Sequence, residues 1–219
     1  LLDYFVEIEH FDKMVARAIE TLEKSGQLNN TIVVVTSDHG MPFPRAKASL
    51  YDAGTHVPLA IRWPKGIDKP GRTNESFVNL SDLPPTFSEI AGLKPTNDIE
   101  IDGVNILPYL TGEIQGEPDR ILFSKSGSLS FLIKEGWKLQ IDFIQNKKWL
   151  FNLNNDPNEK INLASINLEK LKELEELLNS KIKEQAKPIW PNLLSWPIFI
   201  DKALNQKKSN LDEYTYWPN

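Results

Sequence analysis

The sequence contains no cysteine among its 219 residues. This absence excludes disulfides, thiolate metal ligands and a cysteine nucleophile within the chain. No apolar run approaches the roughly 20 residues that a membrane-spanning helix needs. There is no block of basic residues and the formal net charge is −5, so nonspecific nucleic-acid binding is not expected. The only three histidines, at positions 10, 39 and 56, are few for a histidine-rich two-metal site.

What the chain does contain is a chemically varied loop that follows a short apolar run. Residues 32–35 are continuous and Val-rich, which predicts a strand buried on both faces, as in a parallel sheet covered by helices. The sequence SDHG follows at residues 37–40, and Lys47 lies within the next ten residues. Loops of more than about 12 residues in compact domains are usually functional. Residues 37–56 are therefore predicted to form a metal-bound anion site at the carboxyl edge of an α/β sheet.

The chain opens inside an amphipathic helix. Apolar residues recur at three- and four-residue steps between Leu1 and Leu22, and Gly26 is predicted to end the helix. No N-cap residue precedes the first apolar position, although a natural domain start usually supplies one. We therefore expect the sequence to be a fragment of a longer protein that continues upstream.

Changes in periodicity divide the chain into three predicted parts. Residues 1–115 are predicted to be a portion of an α/β domain, and residues 116–187 a small antiparallel β subdomain of short strands. This subdomain includes an amphipathic helix over residues 168–182, whose apolar stripe is predicted to pack into the core. Residues 188–219 are rich in Trp and Pro and are predicted to form a tail without a regular element.

Five segments form an ordered set of motifs. They are the opening helix with its strand and SDHG, Lys47 with residues 50–64, LSDLPPTFSEIAG at 80–92, DGVNILPYLTG at 102–112, and WLFNLNNDPNEKINLA at 149–164. Together they resemble the second half of a type I sulfatase, in the alkaline phosphatase-like superfamily, with Asn105 where the family usually has Ser. Each motif alone is weak, but five in the right order are specific. Residues 42–44 and 50–51 also resemble the heparan N-sulfatase (sulfamidase) branch.

The resemblance implies an α/β fold with an alkaline phosphatase-like parallel or mixed sheet flanked by helices, followed by the small antiparallel subdomain. It implies a sulfuric ester hydrolase that acts on a sulfated carbohydrate, with glycosaminoglycans such as heparan sulfate as the expected class. It also implies Ca²⁺, with Asp38 and His39 as metal ligands and Lys47 bound to a sulfate oxygen. Arg45 and His56 are further candidate substrate-binding residues. Because calcium prefers oxygen ligands, the imidazole of His39 leaves a softer metal open.

The family's nucleophile is a formylglycine made from Cys or Ser in C/S-x-P-x-R, and the chain does not contain that motif. We therefore expect no catalytic nucleophile in this fragment. The resemblance places the nucleophile and a further metal-ligating Asp pair in the N-terminal half of the same enzyme, which would be the partner of this chain. The chain alone is predicted to be inactive. The resemblance further implies a bacterial enzyme that is periplasmic or otherwise exported.

Three polar residues outside the loop are predicted to be structural. His10 lies on the opening helix beside its apolar positions. Asp12 and Asp82 stand where the family usually has Asp, and Asp82 is predicted to be a helix-start carboxylate stabilised by local N–H groups.

Two other functions stay open on the sequence. A phosphodiesterase or phosphonate hydrolase of the same superfamily would keep a comparable metal-bound anion site, typically with more histidine ligands than this chain offers. A non-catalytic, metal-stabilised glycan-binding module would lack the nucleophile by nature. The sequence upstream of Leu1 would separate these functions.

Overall fold

The computed structural model describes residues 1–67, 70–93, 101–116, 118–186, 195–199, 206–207, 209 and 214–218. The chain divides into two compact units, one of residues 1–36 and 59–118 and the other of residues 37–58 and 119–219. The loop that carries the predicted site therefore groups with the second unit, although the strands before and after it in sequence group with the first. Within the described ranges, no helix has the length and apolarity needed to cross a membrane.

Helices and strands alternate early in the chain, and antiparallel strands dominate later. The helices are α1 (Leu2–Lys24), α2 (Asp52–Thr55), α3 (Leu83–Ile90), α4 (Leu107–Thr111) and α5 (Leu168–Glu184). The strands are β1 (Val33–Thr36), β2 (Leu59–Arg62), β3 (Leu122–Ser126), β4 (Leu129–Lys134), β5 (Trp137–Asp142), β6 (Lys147–Asn152), β7 (Ser195–Phe199) and β8 (Tyr214–Pro218).

The first unit contains the predicted opening helix and a short strand pair. α1 is followed by Gly26, whose φ of 71° is the left-handed conformation that glycine adopts without strain. No residue of α1 is buried in the structure. β1 pairs antiparallel with β2, with Val33 opposite Arg62. β1 is less buried than predicted, since all four of its residues are only partly buried. Its observed partner strand is antiparallel and not parallel.

Asp82 and Thr86 join two of the sequence motifs within the first unit, namely residues 80–92 and residues 102–112. The Asp82 carboxylate is fully buried and accepts the Asn79 N–H (2.7 Å) and the Val104 N–H (3.0 Å). Thr86 Oγ1 accepts the Ile106 N–H at 2.9 Å. These bonds join the start of α3 to the segment before α4, and they confirm the predicted structural role of Asp82.

The second unit is built on a four-stranded antiparallel sheet with the order β3-β4-β5-β6. Leu132, Leu139 and Leu150 stand opposite one another on adjacent strands, so they share one face. Leu174 and Leu178 of α5 pack against this rung and complete the apolar core. The predicted amphipathic helix and its core-facing stripe are confirmed.

The opposite face of the same sheet is also buried but is partly polar. Lys138 lies between Ile133 and Phe151 in one rung, and Gln140 lies beside Phe131 in the next. Burial of all five side chains leaves at most 9% of each exposed. This face supports the loop described below.

The prediction of a tail without regular elements is wrong in part. β7 and β8 pair antiparallel, with Trp196 opposite Trp217. The density of Pro and Trp hid this pairing, because proline in a strand interior normally argues against a strand. The remainder of that predicted tail, apart from residues 206–207 and 209, lies outside the described residues.

Candidate functional site

Residues 37–58 fold back on themselves through two glycines. The Gly40 N–H donates to the Gly54 carbonyl at 3.2 Å. A Cβ on Gly40 would lie 2.0 Å from the Ala53 carbonyl oxygen, and one on Gly54 would lie 2.3 Å from the Ala46 carbonyl oxygen. Only glycine permits such close backbone approach. The SDHG segment is therefore held directly against the end of α2.

Asp38 and His39 bring an acceptor oxygen and a ring nitrogen together at the start of the loop. His39 Nδ1 lies 2.9 Å from the Gly40 carbonyl oxygen, which can only accept, so Nδ1 carries a proton. In a neutral imidazole Nε2 is then an acceptor, and it lies 3.2 Å from Asp38 Oδ2. At this separation Asp38 Oδ2 and His39 Nε2 can contact one metal ion together.

This pair fits as part of a metal site. A bond from the other ring nitrogen to a backbone carbonyl is how metal-ligating histidines are commonly oriented. The side chains of Asp38 and His39 are 81% and 42% exposed, so both can reach a cation from solvent. Within the described ranges, no group of three or more acidic or histidine side chains is placed to hold a metal ion. A metal ion bound by this pair would therefore need further ligands from other residues.

Lys47 and His56 also present their side chains to solvent. Lys47 is exposed, and its backbone N–H donates to the Met41 carbonyl at 2.9 Å. His56 is 73% exposed, and its Nδ1 lies 3.2 Å from Oδ2 of Asp52, one helical turn earlier. A cationic side chain and an oriented imidazole are thus available on the loop to contact an anionic ligand.

Arg45 is held differently from the other candidates. Its guanidinium carbon lies 3.8 Å from the centre of the Tyr51 ring, within the distance of a cation–π contact. Its Nη2 donates to the Glu159 carbonyl oxygen at 3.0 Å. These contacts tie Arg45 to the protein itself, and its role in substrate binding stays a prediction.

Glu159 is the residue at this site whose importance the sequence did not reveal. Its carboxylate accepts from Lys138 Nζ at 2.6 Å, from Gln140 Nε2 at 3.2 Å, and from the Asp52 backbone N–H at the start of α2. Glu159 is 3% exposed and Lys138 is 1% exposed. The sequence does contain Glu159 as the glutamate of a D-P-x-E motif. Its partner in the loop, Asp52, lies 107 residues earlier in the chain, so the sequence did not indicate that the two residues meet.

Burial sets the protonation behaviour of this pair. Removal of Lys138 from water lowers the pKa of its ammonium group, because the charged form loses hydration. The negative charge of Glu159, and more weakly that of Asp52, opposes the decrease. The ammonium group is therefore held by its carboxylate partners against a substantial cost of desolvation.

The neighbouring residues of the motif direct Glu159 toward the loop. Asp156 Oδ2 accepts the N–H groups of Lys160 (2.7 Å) and Ile161 (2.8 Å), which closes a tight turn around Glu159. Asn162 Oδ1 accepts the Leu150 N–H at 2.9 Å and fixes the turn to β6. Glu159 itself has a φ of 53°. The polar residues of DPNEKINLA thus form a hydrogen-bonded support for one carboxylate.

Comparison with known proteins finds a matching family model and related proteins. A family model described as Sulfatase matches residues 1–93. Human N-acetylglucosamine-6-sulfatase is 40% identical over 106 residues, which cover 46% of this chain and 19% of that protein. Human N-sulphoglucosamine sulphohydrolase is 31% identical over 116 residues, which cover 50% of this chain and 23% of that protein.

A solved structure agrees over a larger part of the chain. It is that of BT4656 in complex with its substrate D-glucosamine-2-N,6-O-disulfate, with a TM-score of 0.64 and 27% identity. The match covers 78% of this chain and 38% of that one. The predicted fold class is confirmed by this likeness. The chain spans less than half the length of each of these proteins.

Proposed function

The chain belongs to the sulfatase family, and we propose that it forms part of an enzyme that hydrolyses sulfate groups on a glycosaminoglycan. The observation that carries this proposal is the solvent-facing Asp38–His39 pair, which can contribute two ligands to a metal ion and lies on the same folded loop as Lys47. The substrate class is supported by the names of two relatives, both sulfatases of glucosamine derivatives, and by the disulfated glucosamine substrate of BT4656. O-sulfate and N-sulfate on glucosamine are both within this class.

Asp38 and His39 supply two ligands of a divalent cation in this proposal. We take the cation to be Ca²⁺, with oxygen ligands from other parts of the enzyme completing its six to eight contacts. When bound, the cation neutralises charge on the sulfate oxygens. The Nδ1–H bond of His39 to the Gly40 carbonyl keeps Nε2 directed at the shared ligand position.

Lys47 and His56 contact the substrate in this proposal. The ammonium group of Lys47 is compact and can approach one sulfate oxygen without a fixed fork geometry. Asp52 orients the imidazole of His56 through Nδ1, which leaves Nε2 free to face the substrate. In this proposal the nucleophile is a formylglycine supplied by the N-terminal half of the same enzyme, and the enzyme is exported.

The proposal predicts that Lys47→Ala lowers kcat/KM of the complete enzyme by about 100-fold, the scale of losing one charge-stabilising contact in a transition state. The measurement is release of inorganic sulfate from N- and 6-O-sulfated glucosamine oligosaccharides. Lys65→Ala is the matched control, because Lys65 is also exposed but lies in a turn of the first unit. Its kcat/KM should equal that of the parent.

The same assay separates the competing functions. If the complete protein cleaves a phosphonate monoester or phosphodiester and releases no sulfate, the proposal fails in favour of that activity. Binding of the oligosaccharide without turnover would instead support a glycan-binding module. Recovery of activity by Ca²⁺ after chelation supports the proposed cation, whereas recovery by Zn²⁺ alone would contradict it.

A further inference from the structure

The loop that carries the proposed binding residues has a buried underside. Ala46, Ser49, Leu50 and Tyr51 are between 1% and 7% exposed, although Lys47 between them is exposed. The Tyr51 ring packs against Phe151 of β6, with ring centres 6.1 Å apart and the planes tilted by 52°. The loop is therefore seated on the polar face of the four-stranded sheet.

The polar contacts between loop and sheet converge on one residue. The Glu159 carboxylate accepts the N–H of Asp52, and Asp52 in turn bonds His56. The Glu159 carbonyl accepts from Arg45, two residues before Lys47. Both proposed substrate-binding side chains are thus within four residues of a bond to Glu159.

We propose that Glu159 is a positioning residue, which sets the geometry of Lys47 and His56 through its bonds to Arg45 and Asp52. This inference rests on the proposed function of those two residues. Glu159 is itself 3% exposed and does not need to touch the substrate. Its position in turn is fixed by Lys138 and Gln140 of β5, so the sheet acts as the reference frame for the loop.

Energetic considerations favour positioning over stabilisation as the role of this pair. Two charges buried together recover little or none of their desolvation cost relative to an apolar pair of the same size. A directional bond to a backbone N–H, by contrast, fixes an orientation that apolar packing leaves adjustable. Displacement of a substrate-binding group by about 1 Å can cost about 100-fold in rate. A buried pair with a small net effect on stability can therefore have a large effect on activity.

The test compares two double variants of the complete enzyme that differ in whether residue 159 can accept a hydrogen bond from the Asp52 N–H. Lys138→Met with Glu159→Gln and Lys138→Met with Glu159→Leu both remove the two buried charges, so neither leaves an unpaired charge inside the protein. Gln at position 159 can still accept the Asp52 N–H, whereas Leu cannot. Their side-chain volumes are similar, which makes the pair a matched comparison.

The first readout is hydrogen exchange measured by mass spectrometry, which does not require activity. In the Leu variant, peptides covering residues 50–57 should exchange at least 10-fold faster than in the Gln variant. Peptides covering residues 129–142 of the sheet should exchange equally in both. The second readout is kcat/KM for sulfate release, which should be at least 10-fold lower in the Leu variant.

The outcomes separate this inference from the proposed function. If the parent enzyme releases no sulfate, the proposed function fails, while the exchange difference still shows whether Glu159 orders the loop. If the enzyme is active but the two variants agree in both exchange and kcat/KM, the positioning role is overturned. Faster exchange in the sheet as well as the loop would also overturn it, because Glu159 would then be a general structural residue.

Asp142→Asn provides an independent control in the same sheet. Asp142 is a fully buried carboxylate, and it accepts the N–H groups of Ile144 and Gln145 in its own turn. Loss of its charge should leave exchange of residues 50–57 unchanged. An equal effect of Asp142→Asn on the loop would contradict a specific role for Glu159.

Discussion

The two faces of the four-stranded sheet are both buried, but by different kinds of interaction. One face presents Leu132, Leu139 and Leu150 to the leucines of α5, and all of these side chains are at most 1% exposed. The other face presents Lys138 and Gln140 to the carboxylate of Glu159 beneath the loop.

The two faces of the sheet therefore have different roles: the α5 face contributes to the stability of the unit, and the loop face to the geometry of the proposed site. Apolar burial is non-directional and grows with the area removed from water, so the α5 face stabilises the unit chiefly through the apolar area that it buries. Hydrogen bonds and ion pairs are directional, so the loop face defines where the proposed site lies. Changes on the two faces should therefore have different consequences.

The largest effect on stability is expected on the α5 face. Leu139→Ala should lower the free energy of unfolding by about 3 kcal/mol, because it deletes a fully buried side chain and leaves a cavity. A urea titration of the chain measures this change. Leu168→Ala at the start of α5 is the control, because Leu168 is 65% exposed and its loss should cost less than about 0.5 kcal/mol. Equal losses at the two positions would show that α5 does not cover this face in solution.

A smaller effect is expected where an aromatic residue supports the loop. Phe151→Leu should lower the free energy of unfolding by about 1 kcal/mol, because it removes the tilted ring contact with Tyr51. Hydrogen exchange should then increase in residues 37–58. Phe123→Leu is the comparison, because Phe123 packs on the α5 face. If that variant increases exchange in the loop to the same extent, the two faces are not independent.

The smallest effect is a pH dependence specific to the loop face. Because burial lowers the pKa of Lys138 below 10.5, the folded chain releases this proton at a lower pH than the unfolded chain does. The unfolded state binds more protons between the two pKa values, so stability should rise with pH in this window. In the double variant Lys138→Met with Glu159→Gln this contribution should be absent, whereas Lys170→Met on α5 should retain it. Urea titrations at a series of pH values up to 10.5 test this, and identical pH profiles for the parent and the double variant would contradict it.

The periodicity of the sequence was a reliable guide to helices but not to their partners. Residues 1–24 and 168–184 both show a strong 3.6-residue pattern, and both form helices. α5 buries Leu174 and Leu178, whereas Phe5 and Phe11 of α1 each remain 53% exposed in the structure. A helix has an apolar face because of its own sequence, but that face is buried only if another element lies against it.

The candidate site was only partly predictable, because some of its features are local in the sequence and others depend on contacts that form on folding. The adjacency of Asp38 and His39 and the nearness of Lys47 in the chain are properties of the sequence, and the five ordered motifs gave the family. The contacts of Arg45 were not predictable, because they depend on a ring and a carbonyl that folding brings to it. The pairing of β7 with β8 was missed since proline and tryptophan dominated the local signal.

The sequence by itself determined the opening helix, the helix α5, the strand β1, the family and the group of polar residues that follows β1. These follow from local spacing and motif order, which exist before the chain folds. Only the tertiary structure decided that the loop rests on the polar face of the sheet and that Glu159 holds it there. That bond joins residues 107 positions apart, and it depends on the register of β5 and β6 and on the turn around Asp156. No local pattern in the sequence specifies such a contact.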